Sequence, residues 1–270
     1  MNRFHHKRVL IIGASKGIGY ACAKMFVEES ARVLLVARGE ERLKAAAEFI
    51  AAEGYIAADI SKQADCDFIY EESVRLLGGI DILIHNAALH HRGAVQDRTA
   101  TELADMVQVN LAAPVYLSRL FLPSLIESKG VLVFVASLAG CVPLPNSTTY
   151  SATKFGLRAF SMALAQEVEG LGVGVSVVSP GPVETEFILK DLDAVSDMTF
   201  SQPMISPERV ANAVLGACIR RPREVKLPRA SGYLTTVGYL FPVLRRWLKP
   251  VLKRKGARAK EQIRKRINPS

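Results

Sequence analysis

Tyr150 and Lys154 stand four positions apart, and Ser137 lies thirteen residues upstream. These are the residues of this 270-residue chain whose types and spacing best suit acid–base chemistry. Four positions is about one helical turn, so on a helix the two side chains share a face. A phenol titrating near pH 10 is a poor proton carrier at neutral pH. A cation one turn away stabilises its anion and brings it toward the working range. Ser137 follows the apolar run 131–136, and a hydroxyl at the end of a strand can hold a carbonyl oxygen beside the tyrosine. Together the three can move a proton to or from an oxygen on carbon. Tyr-xxx-Lys alone is a common exposed helical pair, so its meaning depends on the elements around it.

Near the start, Val9-Leu-Ile-Ile-Gly13-Ala-Ser15-Lys16-Gly17-Ile18-Gly19 reads as a strand entering a glycine-rich turn and then a helix. Glycines allow the tight turn and close approach of a ligand, and the helix N-terminus offers free N–H groups to a pyrophosphate. A glycine triplet can also be no more than a tight strand–helix turn. Its place on the first strand of a βαβ unit favours a dinucleotide site. An NAD-selective site places an acid about 20 residues further on, to hold the ribose 2′-hydroxyl. Here the second strand ends Val36-Ala37-Arg38-Gly39, with a cation instead. Arg38 can fork onto a 2′-phosphate and Lys16 can join it, which points to NADP(H).

These residues need a scaffold, and the hydropathy pattern supplies one. Short apolar runs at 9–12, 33–37, 55–58, 82–85, 131–136, 173–178 and, weakly, 225–227 alternate with helical periodicity, as at 41–52, 103–125 and 150–171. Near-continuously apolar strands between helices mark a parallel sheet covered on both faces. The expectation is an α/β fold: a single doubly wound, Rossmann-type domain over 1–230, about seven strands with helices on both faces, and a tail over 231–270. Residues 182–206 break the alternation and read as a lid.

Six features now stand in order: Gly13-xxx-Gly17-Ile-Gly19, Asn86-Ala87, Asn110, Ser137, Tyr150-xxx-Lys154 and Pro180-Gly181. In order and spacing the chain resembles the short-chain dehydrogenase/reductase superfamily over about residues 7–227, and within it the short single-domain subfamily with an Asn–Ser–Tyr–Lys tetrad. The resemblance implies catalytic roles for Asn110, Ser137, Tyr150 and Lys154. Tyr150 would be the acid in reduction and the base in oxidation. Lys154 would lower its pKa and bind the nicotinamide ribose, Ser137 would orient the substrate oxygen, and Asn110 would help hold a water linking Lys154 to solvent. It further implies cofactor contacts from Asp59 and Ile60 at the adenine, from Asn86, Ala87 and Ala88, and from Pro180, Gly181, Val183 and Thr185 near the nicotinamide carboxamide. Ala88 departs from the family's usual glycine and adds a methyl beside the ribose. The implied activity is NADP(H)-dependent interconversion of a ketone and a secondary alcohol, on a lipophilic 3-oxoacyl, sphingoid or steroid-like substrate, by a homodimer or homotetramer. The rival expectations are an NADP(H)-binding redox sensor or scaffold without turnover, and a nucleotide-sugar epimerase or dehydratase.

The rest of the composition narrows the classes. Half the residues are hydrophobic and 23% charged, which excludes disorder and a disulfide scaffold. Cys22, Cys66, Cys141 and Cys218 show no CxxC spacing and read as buried hydrophobes in a reducing compartment. No metal site is expected; His90 and His91, in the loop toward the substrate mouth, read as polar contacts in the pocket or, the favoured alternative, as exposed loop residues. The N-terminus lacks the apolar stretch of a secretory signal, so a cytoplasmic location is expected. The net charge of +9 is uneven: residues 245–266 carry eleven Lys/Arg and one Glu, leaving the body near neutral, which argues against nucleic acid. Within the tail, Leu244, Trp247 or Leu248, and Val251 share a helical face, with Arg245, Arg246, Lys249 and Lys253 around it. That is the composition of a helix lying in an anionic membrane interface; the alternative is packing on the domain or a second subunit.

Overall fold

In the computed structural model the described residues are 3–267, apart from the side chains of Leu244 and Arg245, whose expected place on the tail face lies outside them. Seven parallel strands form one sheet in the order β3-β2-β1-β4-β5-β6-β7. They are β1 (Arg8–Ile12), β2 (Arg32–Ala37), β3 (Gly54–Ala57), β4 (Ile82–His85), β5 (Val131–Val135), β6 (Gly174–Pro180) and β7 (Glu224–Leu227). The helices are α1 (Gly17–Glu28), α2 (Glu40–Phe49), α3 (Gln63–Leu77), α4 (Ala100–Val107), α5 (Ala113–Glu127), α6 (Thr148–Glu167), α7 (Glu186–Leu189), α8 (Pro207–Arg220), α9 (Arg229–Leu240) and α10 (Pro242–Ile267).

Strand residues alternate between faces, so an apolar run feeds two cores. Val9, Ile11, Val33 and Leu35 pack on one side with Phe26 and Val214, while Leu10, Ile12, Leu34 and Val36 pack on the other with Phe121 and Leu164. A sheet buried on both faces explains why its strands are continuously hydrophobic. The strand order reverses between β1 and β4, and the crevice there, at the carboxyl ends, is where such folds bind ligands. All four cysteines are buried and free. The helical stretch Ala100–Glu127 is long and apolar enough to span a membrane, but Leu117, Phe121 and Leu125 are fully buried against the sheet.

As far as Ile267 the tail is helical, and the second half of α10 is bound to the lid. Ile188, Leu192, Val195 and Phe200 of the lid form a small core with Ala259 and Ile263 of α10. Lys260 Nζ donates to the carbonyls of Asp193 (3.1 Å) and Val195 (2.8 Å) and lies 3.6 Å from the Asp197 carboxylate. Arg264 pairs with Asp193, and Arg266 with Glu184. The approach is close because residue 256 is glycine: a Cβ there would sit 1.7 Å from the Asp197 carbonyl oxygen. Gly256→Leu should therefore lift α10 from the lid, at the roughly 1–3 kcal/mol that overpacking costs. The expected result is a lower thermal midpoint with faster proteolytic nicking at 186–206; an unchanged midpoint would show that the contact of α10 with the lid carries no stability.

Candidate active site

The glycine turn is held by contacts that tolerate no side chain. Gly13 has φ +86°, and a Cβ there would lie 2.6 Å from Ala87 backbone; one at Gly19 would lie 2.1 Å from the Gly13 carbonyl oxygen. Asn86 Nδ2 donates to that same oxygen at 2.7 Å, so Asn86 fixes the turn itself. Above it lies a cleft of about 1090 Å³ running along the sheet's carboxyl edge. Ser15, Lys16, Gly17 and Ile18 line it beside Gly13, with Arg38, Asp59 and Ile60 at one end and Ala87, Ala88, Tyr150 and Lys154 toward the other. Gly19 lies beneath the turn rather than in the cleft wall.

Tyr150 and Lys154 lie one turn apart on α6, both buried. Ser137 sits just past β5, where its Oγ accepts the Ala139 N–H at 3.1 Å and it lines the same small cavity as the phenol. Burial raises the Tyr150 pKa above the ordinary phenol value, against the opposing pull of the Ser137 hydroxyl and the Arg92 charge. The spacing alone suggested that Lys154 would lower it. In the structure Lys154 Nζ is directed to the Val135 carbonyl (3.2 Å), 5.7 Å from the Tyr150 ring centre, and it is not among the groups that lower the phenol's pKa. The same burial pushes Lys154 itself down to about 8.

Asn110 lies in a π-helical turn, Gln108–Ala112, between α4 and α5; such turns often occur at functional sites. Its Oδ1 accepts the Leu89 N–H at 2.7 Å, and Nδ2 donates to the Leu89 carbonyl (2.8 Å) and to Thr153 Oγ1 (3.2 Å). Asn110 thus clamps the loop after β4 to the catalytic helix. Pro180, Gly181 and Val183 do not line the long cleft. They border a second, smaller cavity of about 150 Å³, together with Ser137 and Leu138. Tyr150 and Thr185 line both spaces.

Two residues here, Arg42 and Arg92, escaped sequence reasoning, and a third, His90, takes the less favoured of its two readings. His90 is not a solvated loop residue: its ring stacks on Tyr150 at 4.1 Å and 11°, and burial pushes its pKa down to about 3, so it is neutral. His91 lies apart, its Nδ1 3.6 Å from Glu102. Arg92 donates to the Phe187 carbonyl at 2.7 Å and lies over that ring at 5.1 Å, joining the loop to the lid above the tyrosine. Arg42, one turn after Arg38, shares the Glu186 carboxylate (3.1 Å) with Lys16 (2.7 Å), so a third cation stands near the Arg38 end. An Arg-xxx-Arg pair at 38 and 42 was the available signal for it. Arg92 and His90 become site residues only through contacts across more than fifty positions, which no local pattern encodes. Among the described residues no cluster of three or more His, Cys, Asp or Glu could hold a metal.

The short chain dehydrogenase family profile matches residues 7–194. The Ketoacyl reductase HetN of Nostoc sp. is 33% identical over 228 residues, covering 81% of this chain and 77% of that protein. Dehydrogenase/reductase SDR family member 7B of Bos taurus is 30% identical over 252 residues, covering 85% and 77%. A solved short chain dehydrogenase from Burkholderia cenocepacia in complex with NADP superposes with a TM-score of 0.75 at 27% identity, covering 83% of this chain and 97% of that one. By its profile, its relatives and its fold, the chain belongs to the short-chain dehydrogenase/reductase family of oxidoreductases.

Proposed function

We propose that this protein is an NADP(H)-dependent ketoreductase acting on a lipophilic ketone. The observation that carries the reading is that Tyr150 lines both the long cleft and the adjoining small cavity, which Ser137 also lines. A dinucleotide fits the cleft on this chain's own terms: a turn whose Gly13 and Gly19 leave no room for a Cβ, a helix N-terminus, and three cations, Lys16, Arg38 and Arg42, near one end. When bound, it supplies the hydride that adds to the carbonyl carbon.

The remaining work falls to the side chains. Ser137 donates a hydrogen bond to the substrate oxygen, and the Tyr150 O–H delivers the proton to it as the C=O bond becomes C–OH. A phenol kept protonated by burial suits that acid role. Lys154 holds positive charge at the cleft floor, where it bonds a ribose and offsets the tyrosinate left behind. Asn110 keeps the loop after β4 against α6. The neutral His90 ring backs the phenol. His90 Nε2 and Gln202 Oε1, which line the small cavity, are buried there without partners among the described residues, so polar atoms of a substrate have groups to meet. Leu138, Val142, Ile188 and Val195 make the rest of that cavity apolar. The name of the Nostoc relative agrees with a 3-oxoacyl substrate. We assign the enzyme to the cytoplasm as a homo-oligomer, with its tail at a lipid surface.

NADPH oxidation against a panel of long-chain 3-oxoacyl esters, sphingoid ketones and steroid ketones tests the reading. Turnover on any of these supports it; NADPH binding without turnover on all would favour a redox sensor. Arg38→Asp tests the cofactor. Charge-assisted hydrogen bonds contribute about 1.5–3 kcal/mol, so the NADPH:NADH ratio of kcat/KM should fall roughly ten- to a hundredfold. An unchanged ratio would remove Arg38 from phosphate recognition and leave that role to Lys16 and Arg42.

A further inference from the structure

Two stripes run along α10. Gly256, Ala259, Lys260 and Ile263 face the lid, whereas Val243, Trp247 and Val251, spaced by four, lie in solvent, with Trp247 78% exposed. α9, joined to α10 through Phe241 alone, adds exposed Tyr233, Leu234 and Leu240. So many large apolar side chains left in water on adjoining elements mark a surface that something covers. Between Arg229 and Lys260 the chain has nine Lys/Arg and no Asp or Glu. A two-fold pairing of this face with a second copy would set cation against cation. An anionic bilayer offers the opposite charge outside and hydrocarbon within, and suits a basic helix bearing tryptophan.

Beside this face lies a groove of about 540 Å³. Leu144, Phe155 and Met198 line it, and Pro242, Arg246 and Lys249 of α10 close its outer side. Leu144 and Met198 also line the small cavity that Tyr150 borders. The groove and the small cavity therefore share two wall residues between the exposed tail and the catalytic phenol. We propose that the exposed face of α9 and α10 docks the enzyme on an anionic bilayer, and that the groove admits an amphiphilic lipid ketone from that bilayer to Tyr150. The proposal rests on the ketoreductase reading and adds its substrate's source and route. The apolar walls accept an acyl chain, and Arg246 and Lys249 sit at the rim where headgroups lie.

Trp247 is the chain's one tryptophan, so its fluorescence reports docking on the unmodified protein. With phosphatidylcholine–phosphatidylserine vesicles, its emission should shift to the blue and the protein should sediment with them. Both effects should fade with added salt and be weak with phosphatidylcholine alone. A Lys or Arg near an anionic surface is worth roughly fivefold in partition, so Lys249→Glu, which also adds a repelled charge, should lower vesicle binding by more than that. Trp247→Glu should abolish the residue that survives salt, with the thermal midpoint kept because the side chain is exposed. Ala152→Phe, which fills the groove from α6, should raise KM for a long-chain 3-oxo ester in vesicles several-fold more than for a short, water-soluble 3-oxo ester.

No spectral shift or sedimentation with anionic vesicles would overturn docking. A blue shift that follows protein concentration without vesicles, with a doubled mass in ultracentrifugation, would assign the face to a second copy instead. Equal effects of Ala152→Phe on both esters would overturn the entry route. Failure to reduce either ester sinks the ketoreductase reading and the route with it, while the vesicle measurements still decide docking.

Discussion

Tyr150→Phe should lose at least a hundredfold in NADPH-dependent turnover while binding NADPH about as well as the parent. The substitution keeps the ring, its parallel stack on His90 at 4.1 Å and its place between the cleft and the cavity. Only the O–H is lost. Positioned acid–base groups contribute about 10²–10⁴-fold, so the loss should fall in kcat, not in the Kd for cofactor. Fluorescence titration of NADPH and single-turnover rates on one ketone separate the two quantities. A variant that retains more than about a tenth of the parent rate would show that another group delivers the proton.

That tyrosine was legible in the sequence, together with the turn, the serine and the lysine, for a physical reason. Each belongs to a local pattern: a helical turn at 150–154, glycines after a strand at 13–19, a hydroxyl at a strand end at 137. The strands were legible on the same grounds, because burial on both faces writes an uninterrupted apolar run. Their ends differ from the apolar runs by a residue or two, since Arg8, Arg32, Gly54 and Glu224 take part in the ladder without being hydrophobic. The helical periodicity at 103–125 continues through the five-residue π turn that carries Asn110, so the turn itself left no mark.

What stayed hidden is tertiary. His90 and Arg92 look like loop polars until the Leu89 backbone is clamped by Asn110, which places the loop over α6. The tail reads as one amphipathic basic segment, yet α10 serves two partners. Its lid contact depends on the absent side chain at Gly256, a position that in the sequence is only a weak spot in a helix. Removing the tail altogether would therefore uncover Ile188, Leu192 and Phe200 as well as abolish docking. For that reason single exposed residues, not truncation, separate the two roles.

Lys154→Met should abolish most turnover and leave the fold as stable or more so. The ammonium is wholly buried, yet among the described residues its one hydrogen bond is the 3.2 Å contact to the Val135 carbonyl. Its pKa falls from 10.5 in model compounds to about 8, a shift worth on the order of 3 kcal/mol against the charged form at neutral pH. The sign follows from proton counting. Between about pH 8 and the ordinary lysine value the unfolded chain holds a proton that the folded one has released, so stability rises with pH through that window. Below about pH 8 both states are protonated and the penalty is present in full. A methionine of similar length carries no such charge, so it should remove the slope and raise the midpoint at pH 7. Activity should respond in the opposite sense. The kcat/KM for NADPH, which reports the free enzyme, should fall as pH rises above about 8, because the cation that meets the ribose and the tyrosinate is then lost. Melting curves of parent and variant from pH 6 to 10, run beside the parent's pH–rate profile, test both signs. A variant that melts well below the parent at pH 7, with the slope still present, would mean that the lysine is held for structure and that its charge is not the cost the site bears for catalysis.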